Sequence, residues 1–503
     1  MHGRFLLLFG VLLWLWQSTP VGAQDEMVKL AGLDSFILRG MADWELPGLS
    51  IAIVKDGRVI LEKGYGLRDL NSPLPVDAHT VFGICSTTKA MTAVTLAMLV
   101  DEGKLAWDSP VMQYLPEFQL RTEAWTKKVR VRDLLTHNAG LPNLDFLWYA
   151  NTLDTREMVR RLRYAEEAYP IRGGYTYQNV MYAVAGLLVE RVSGKTWTAF
   201  VKERLLDPLG MSETSATWEA SLSRENRMSP HFIIGEKVTR IPYPRIDQIA
   251  PAGSVWSSAH DMTKWMLFLL EGGRVGDKAL LSAENFRELF KPQALVPIKD
   301  FYPTAALTQP TWTTYGLGWF QQDYRGHTLH FHTGSIDGNI AILGLLPAER
   351  LGVFVLGNLD HAELRHAVLF QVLDLFGMRK IPTRDWHADV LKLYRQLEDK
   401  SRSEPKPQVR LDGRQLDRYC GIYEDPLNGR VEVTRFREGG LAIQLSNQLT
   451  MQVHPVGENT FEGEYADYPW FGTRQVGFRR RAASGRVISL SLGPQIWRRK
   501  IVL

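Results

Sequence analysis

Ser86-Thr87-Thr88-Lys89-Ala90-Met91-Thr92-Ala93-Val94-Thr95-Leu96-Ala97-Met98-Leu99-Val100-Asp101-Glu102-Gly103 is the stretch on which the reading of this chain turns. Ala90, Met91, Val94, Met98 and Leu99 recur at helical spacing, and Gly103 stands where helices often close on a left-handed residue, so a buried helix is predicted from Ser86 to Glu102. At its start Ser86 and Lys89 are three residues apart and share a helical face. A serine is a poor nucleophile until its proton is removed, and a desolvated lysine, whose pKa falls on burial, can remove it. The helix N-terminus adds a backbone N–H and a positive dipole end where an oxyanion would form. The bland alternative is a capping serine beside a solvated lysine. A second Ser-x-x-Lys, Ser403-Glu404-Pro405-Lys406, has no apolar helix behind it and reads as a chance match.

Upstream, Leu49–Val54 and Val59–Glu62 are apolar and β-branched around Lys55-Asp56-Gly57, which predicts a hairpin. Downstream, a mixed helix and loop region runs to about Leu270. It holds a predicted helix from Asn179 to Val192, closed by Ser193-Gly194, and another opening at Ser258-Ala259-His260-Asp261 with capping-box spacing. Strands return at Thr328–Thr333, Ile340–Leu346 and Leu351–Leu356, before a helix over Ala362–Phe376. The hairpin and the late strands are expected to form one antiparallel sheet in an α+β fold. The polar tract Ser401–Pro407 reads as a linker. Beyond it, Arg430–Phe436, Leu441–Leu445, Thr450–His454, Thr460–Tyr465, Arg474–Arg480 and Val487–Leu492 are short strands at barrel or sandwich spacing, without a nucleophile and base.

The N-terminus is read as a signal peptide. Met1-His2-Gly3-Arg4 carries the charge, Phe5–Trp16 is apolar, and Val21-Gly22-Ala23 offers small residues for cleavage after Ala23. No later run reaches the length of a membrane span, so the mature chain is expected to be soluble, and secreted or periplasmic. Across 503 residues, 45% hydrophobic and 23% charged composition describes a globular protein and excludes disordered, collagenous and coiled-coil classes. A net charge of +4 gives no reason to invoke nucleic acid. With Cys85 and Cys420 alone, neither disulfide stapling nor a cysteine zinc site organises the fold, and a bridge between the two is disfavoured because they fall in different predicted domains.

Two further motifs bear on Ser86. Tyr177-Gln178-Asn179 follows Gly173-Gly174 and opens a predicted helix, placing a phenol able to share the proton of Ser86 and an amide able to bond Lys89 or a substrate carbonyl. Tyr149-Ala150-Asn151 has the same spelling without the glycine lead-in and ranks second. His332-Thr333-Gly334-Ser335 ends a predicted strand, whose edge would line a cleft with Gly334 permitting close backbone approach. His330 and His332 share a strand face as two metal ligands would, but no third ligand stands at usable spacing, so no metal is expected. The chain lacks a Gly-x-Ser-x-Gly elbow, a dinucleotide fingerprint and a His-Glu-x-x-His helix, and no cofactor is expected.

Taken in order, these motifs resemble the serine β-lactamase and penicillin-binding-protein superfamily over about Leu30 to Gly377. Tyr-x-Asn resembles its class C branch, and His-x-Gly in place of Lys-Thr-Gly resembles the D-aminopeptidases, D-stereospecific peptidases and esterases. Leu134–Pro142 and Asp207–Met211 match stretches common in those proteins. The resemblance implies Ser86 as acylated nucleophile, Lys89 with Tyr177 as proton-transfer pair, and Asn179 as positioner. It also implies Ser86 and Ser335 N–H groups as oxyanion hole, with His332, Thr333, Gly334 and Ser335 on the substrate side. The implied fold is an antiparallel sheet flanked by helices, a helical lobe, and a C-terminal lipocalin-like barrel. The expected domains are a signal peptide over 1–23, a hydrolase domain over 24–378, a helix and linker over 379–411 and a barrel over 412–503. The expected substrate is a small molecule or peptide, with a homo-oligomer left open. A class C-like β-lactamase and a penicillin sensor with little turnover stand as alternatives. Histidine is mostly neutral at pH 7.5, so His332 is expected to disfavour carboxylate-bearing substrates such as penicillins.

Overall fold

The computed structural model describes residues 21–149, 151, 153–378, 384–401, 406–436, 439–446 and 449–500. Strand β1 (Gly48–Lys55) is buried along all but its last residue and turns at Asp56-Gly57, both with positive φ, into the half-exposed β2 (Arg58–Asp69). β3 (Ser72–Pro75) follows. The chain returns to the sheet with β4 (Ala294–Leu295), β5 (Thr313–Tyr315), β6 (Phe320–Tyr324), β7 (His327–Ile336), β8 (Asn339–Leu346) and β9 (Leu351–Gly357). The sheet order is β4-β5-β6-β7-β8-β9-β1-β2-β3. β1 lies antiparallel to β9, from Leu49 opposite Gly357 to Lys55 opposite Leu351. The N-terminal hairpin and the late strands are therefore one sheet.

Why β1, β8 and β9 read as unbroken apolar runs is answered by what covers them. Ala52, Val54, Ala341, Leu343, Phe354 and Leu356 face the helical lobe, while Ile51, Ile53, Ile340, Ile342, Val353 and Val355 face the opposite layer. Both faces are buried, so the period of two is masked in composition although it governs the packing. The opposite layer is built from helices α1 (Val21–Asp43), α5 (Leu364–Val372) and α6 (Trp386–Ser401). The lobe contains α2 (Thr88–Asp101), α3 (Asn179–Ser193) and α4 (Ala259–Leu270).

Several predicted elements shift in detail. The helix expected from Ser86 opens as a 3₁₀ turn, Cys85–Thr87, and becomes α-helical at Thr88. The helix expected over Ala362–Phe376 is α5 followed by a π turn, Leu373–Gly377. At α4, Ser258 Oγ accepts the Asp261 N–H at 3.1 Å, but the Asp261 carboxylate turns away to the Glu213 N–H and Thr214 hydroxyl, so half of the capping box forms. Strand β5 is only three residues long, and β6 gives little local signal because Phe320-Gln321-Gln322-Asp323-Tyr324 lacks β-branched residues. Gln321 is nonetheless buried, held by the Thr314 hydroxyl and the Phe290 carbonyl.

The C-terminal strands close into an eight-stranded barrel. Beside the six expected strands, Gly421–Asp425 and Gln495–Arg499 pair with each other through Tyr423 opposite Arg499 and complete the ring. Tyr423, Ile443, Met451, Phe461, Phe478 and Trp497 fill its core. Cys85 and Cys420 are both free thiols. Among the described residues no helix is long and apolar enough to cross a membrane. The signal-peptide segment lies outside the described residues up to position 20, and α1 runs on from Val21 through the expected cleavage position. Ser403 also lies outside them, while its partner in the motif, Lys406, pairs with Glu462 at 2.7 Å.

Candidate active site

From Val81 to Leu99 every residue is buried except Ser86. The 3₁₀ turn causes this: Cys85 takes φ +49°, Thr87 Oγ1 donates to the Ile84 carbonyl at 2.7 Å, and the turn lifts Ser86 out of a helix otherwise enclosed on all sides. Lys89 is fully buried, with Nζ 3.0 Å from Ser86 Oγ, 2.8 Å from Asn179 Oδ1 and 2.8 Å from the Ala252 carbonyl. Burial pushes its amine down to about 7, against the opposing field of Asp145. Asn179 Oδ1 and Ala252 O can only accept. A neutral Lys89 therefore spends both N–H donors on them and turns its lone pair to the Ser86 hydroxyl, the orientation a base requires.

Tyr177 and Asn179 stand where α3 begins. The Tyr177 ring lies 4.8 Å from Lys89 Nζ and the Tyr182 ring 5.2 Å from it on the same helix, so Lys89 sits against two aromatic faces. Burial raises the Tyr177 phenol well above its ordinary value, with its hydrogen bond to Ser86 opposing. Tyr177 is thus a neutral hydroxyl at working pH, and Lys89 is the member of the pair able to take a proton. Two residues to which the sequence assigned no role fix this turn. His137 packs against Tyr177 with ring centroids 4.2 Å apart and accepts the Gln178 N–H at 3.0 Å. Asp145 accepts from Asn179 Nδ2 at 3.0 Å and from the Trp148 indole at 2.7 Å, which orients the Asn179 oxygen toward Lys89. His137 belongs to the Leu134–Pro142 stretch, where a buried histidine among leucines was the available signal; Asp145 had none.

The edge of β7 forms the facing wall. A Cβ on Gly334 would lie 2.5 Å from the Ile84 carbonyl and 3.1 Å from the Ser86 nitrogen, so glycine is what lets this strand touch the nucleophile turn. Gly318, at φ +85°, makes a similar approach to the Lys89 backbone. Thr333 and Ser335 line the cleft, and Thr333 Oγ1 is 2.7 Å from the Tyr302 hydroxyl. His332 is not on the cleft wall. Its Nε2 is 2.9 Å from the Tyr315 hydroxyl, its Nδ1 is bonded to the Thr333 carbonyl, and burial drives it down to about 3. The imidazole is neutral throughout the working range and stands behind the strand. His330 is likewise turned inward, with Nδ1 3.0 Å from Gln321 Nε2.

Behind Ser335 lies a cation that the motifs did not disclose. Arg365, on α5, donates from Nη1 to the Gly334 carbonyl, to Ser335 Oγ at 2.7 Å and to the Ala341 carbonyl at 3.2 Å. Its Nε and Nη2 clasp Glu363 at 3.0 and 2.9 Å, and Glu363 also meets His366 Nδ1 at 2.9 Å. Burial alone would raise Glu363, but Arg365 and His366 hold its carboxyl well below the usual range. The ion pair ties the edge of β7 to the helix packed behind it.

These elements enclose a cleft of about 480 Å³ lined by Ser86, Tyr177, Asn179, Thr333 and Ser335, with aromatic walls including Trp148 and Tyr302. Asp145, Asp300, Asp337, Asp360 and His361 also line it, and among the described residues no lysine or arginine does. Tyr149, from the second-ranked motif, reaches this rim and hydrogen-bonds Asp337. The barrel meets the same rim: Trp470 donates its indole N–H to Asp337 at 3.1 Å, and Phe471 packs on Tyr149 with centroids 5.2 Å apart. Trp470→Ala is expected to widen the cleft without touching Ser86, leaving kcat/KM for a small acetyl ester within about threefold and raising it for bulky acyl groups. The measurement is a series of esters of increasing acyl size, and a uniform loss across the series would remove the barrel from the rim.

A serine and a buried lysine one helical turn apart, under the edge of an antiparallel sheet and beside a Tyr-x-Asn turn, define a class of serine-dependent acyl-transfer proteins. The chain belongs to the beta-lactamase family, whose model matches residues 33–375. Proteins of this superfamily are generally serine hydrolases. The unguisins hydrolase ungD' of Aspergillus campestris is 27% identical over 408 residues, 76% of this chain and 73% of its own length. Protein flp of Staphylococcus aureus is 26% identical over 338 residues, 65% of this chain and 63% of its own. In fold, the chain is similar to the octameric penicillin-binding protein homologue from Pyrococcus abyssi, with a TM-score of 0.63 and 24% identity over 93% of this chain and 99% of that one. It is also similar to SurE, with a TM-score of 0.57 and 19% identity over 96% and 100% of the two chains.

Proposed function

We propose that this protein is an exported serine hydrolase that forms an acyl-enzyme on Ser86 and cleaves amides or esters, among them peptides containing D-residues. The observation that carries the reading is the cage around Lys89, whose two carbonyl-type acceptors leave one direction for a lone pair, toward Ser86 Oγ. In the first step the Ser86 proton passes to Lys89 Nζ as Oγ attacks the substrate carbonyl. The oxyanion forms against the N–H groups of Ser86 and Ser335. The leaving nitrogen or oxygen then takes the proton back from Lys89, relayed through the neutral Tyr177 hydroxyl. Water repeats the sequence on the ester and frees Ser86.

The lining favours one group of substrates. Four aspartates line the cleft against one imidazole, His361, which Asp360 pairs with and holds above its ordinary pKa, so the wall stays net acidic and a substrate carboxylate meets like charge, whereas a free amine or a neutral ester does not. This supports N-terminal amides and esters over penicillins, and the burial of His332 supports it further, since no charge on that strand reaches the substrate. A 27%-identical relative named a hydrolase fits the same reading. Export rests on the charged, apolar and small-residue segments of the first 23 residues. Self-association into a homo-oligomer would parallel the octameric homologue.

The test is covalent labelling with a fluorophosphonate together with turnover of a panel of D-aminoacyl amides, simple esters and a penicillin. Ser86→Ala is expected to abolish labelling and turnover while leaving the fold unchanged. Labelling that persists on another serine ends the assignment, rapid penicillin turnover makes the protein a β-lactamase, and a lasting penicillin adduct without turnover makes it a sensor.

A further inference from the structure

From Arg474 to Lys500 the chain carries eight basic residues and no acidic one. These residues belong to the last strands of the barrel and none of them lines the catalytic cleft. At one end of the barrel Arg418, Arg480, Arg486 and Arg499 converge, with Ser484 and Gly485, on a cavity of about 450 Å³ that no carboxylate among the described residues lines.

Two of the four are held in place. Arg480 donates from Nη2 to the Tyr419 hydroxyl at 2.6 Å, its guanidinium carbon lies 5.3 Å from the Tyr419 ring centroid, and its Nε is buried with no partner among the described residues. Arg499 donates to the Arg418 carbonyl at 2.8 Å and to the Cys420 carbonyl, and lies 5.9 Å from the Tyr423 ring centroid. Their bonds are to neutral oxygens, which fix the forks without neutralising them. The nearest acid to Arg480 is Glu458 at 4.0 Å, 85% exposed, and among the described residues Arg418, Arg486 and Arg499 have no carboxylate partner. By contrast, Arg435 on the same barrel is paired with Asp417 at 2.9 Å.

Like charges that are positioned but not neutralised repel one another, and an anion between them removes that repulsion. Guanidinium forks match an oxyanion that offers several acceptor oxygens, and a single carboxylate has too few for four. We propose that this cavity binds a phosphate-type oxyanion, either as free phosphate or a soluble phosphate ester or as the headgroup phosphate of an anionic lipid.

The experiment uses the full chain and the double variant Arg418→Ala/Arg486→Ala, which removes two exposed side chains that have no hydrogen-bonding partner among the described residues and leaves the cleft intact. Fluorophosphonate labelling of Ser86 and ester turnover serve as controls that the variant is folded. Inorganic phosphate is titrated calorimetrically against chloride at constant ionic strength, and binding is measured to vesicles of phosphatidylglycerol and of phosphatidylcholine. Saturable phosphate binding, weakened at least tenfold in the double variant with turnover unchanged, is the expected result. Retention on phosphatidylglycerol but not phosphatidylcholine, lost in the variant, assigns the headgroup; phosphate binding without vesicle retention assigns the soluble ligand. Phosphate indistinguishable from chloride together with no selective vesicle retention overturns the proposal, as does binding that survives in the double variant.

Discussion

Replacing Lys89 by methionine is expected to lower kcat/KM by about 10²- to 10⁴-fold, the usual worth of a positioned general base, and to erase the pH dependence of what remains. In the wild type the base is the neutral amine, and burial brings its pKa down to about 7. The kcat/KM profile for a neutral ester should therefore rise through an apparent pKa near 7 and level above pH 8. The variant should be flat across the same range. A flat wild-type profile would mean that Lys89 is not the group being deprotonated.

The same burial has a thermodynamic side. A lysine whose folded pKa is depressed binds fewer protons folded than unfolded between its two pKa values, so wild-type stability rises with pH from about 7 to about 10.5. Below pH 7 the enclosed charge costs its full amount, about 5 kcal/mol if the whole shift is realised. Methionine removes that cost but leaves Asn179 Oδ1 and the Ala252 carbonyl without a donor, at about 1–3 kcal/mol each. The sign of the net change at one pH is accordingly a poor guide, and the difference between the two proteins is the better measurement. Stability of Lys89→Met relative to wild type should be constant below pH 7 and fall steadily from there toward pH 10. A difference independent of pH would show that Lys89 is not depressed.

The second large effect is expected at Arg365. Arg365→Met leaves Glu363 buried without its bidentate partner, and breaking a buried pair from one side typically costs about 3–5 kcal/mol. Replacing both, as Arg365→Met with Glu363→Leu, removes the stranded charge and should restore part of the stability. Activity should not follow. Ser335 Oγ and the Gly334 carbonyl both lose the donor that holds the edge of β7, and a displaced oxyanion donor costs on the order of 10²-fold in kcat. The double variant should thus melt above Arg365→Met but below the wild type, because the Gly334 and Ala341 carbonyls still lack the Arg365 donor, while its kcat stays low and its KM changes little. Recovery of both together would make Arg365 a purely structural residue, and loss of both would mean that Glu363 acts beyond this pair.

Some of this was legible in the chain itself. Ser86 and Lys89 are one helical turn apart, so their meeting is a local consequence of the backbone, and the apolar run behind them announced the burial that makes the lysine a base. Local patterning also disclosed the Asp56-Gly57 hairpin, the closing Gly194 of α3 and six of the eight barrel strands. It failed where partners come from far away or where polar residues are buried. Nothing around Asp145 or Arg365 marks them, because each owes its role to atoms 34 and 30 positions distant, in Asn179 and Ser335. The polar strand β6 hid for the same reason, its Gln321 being satisfied from two other elements.

His332 divides the two kinds of information. The sequence alone determined that a neutral-capable imidazole, and not a lysine, stands on the strand beside the nucleophile, because that is a matter of residue type and intrinsic pKa. Whether the ring faces substrate was decided by the tertiary structure, which encloses it between Tyr315 and its own backbone and keeps it uncharged. The same division holds for the site as a whole. Periodicity and spacing determine which groups share a helix or strand face, since those depend on backbone geometry over a few residues. Charge state, orientation and the acidity of the cleft wall depend on desolvation and on fields from residues far apart in the chain, and these exist only once Asp145, Asp300, Asp337 and Asp360 have been folded around one opening.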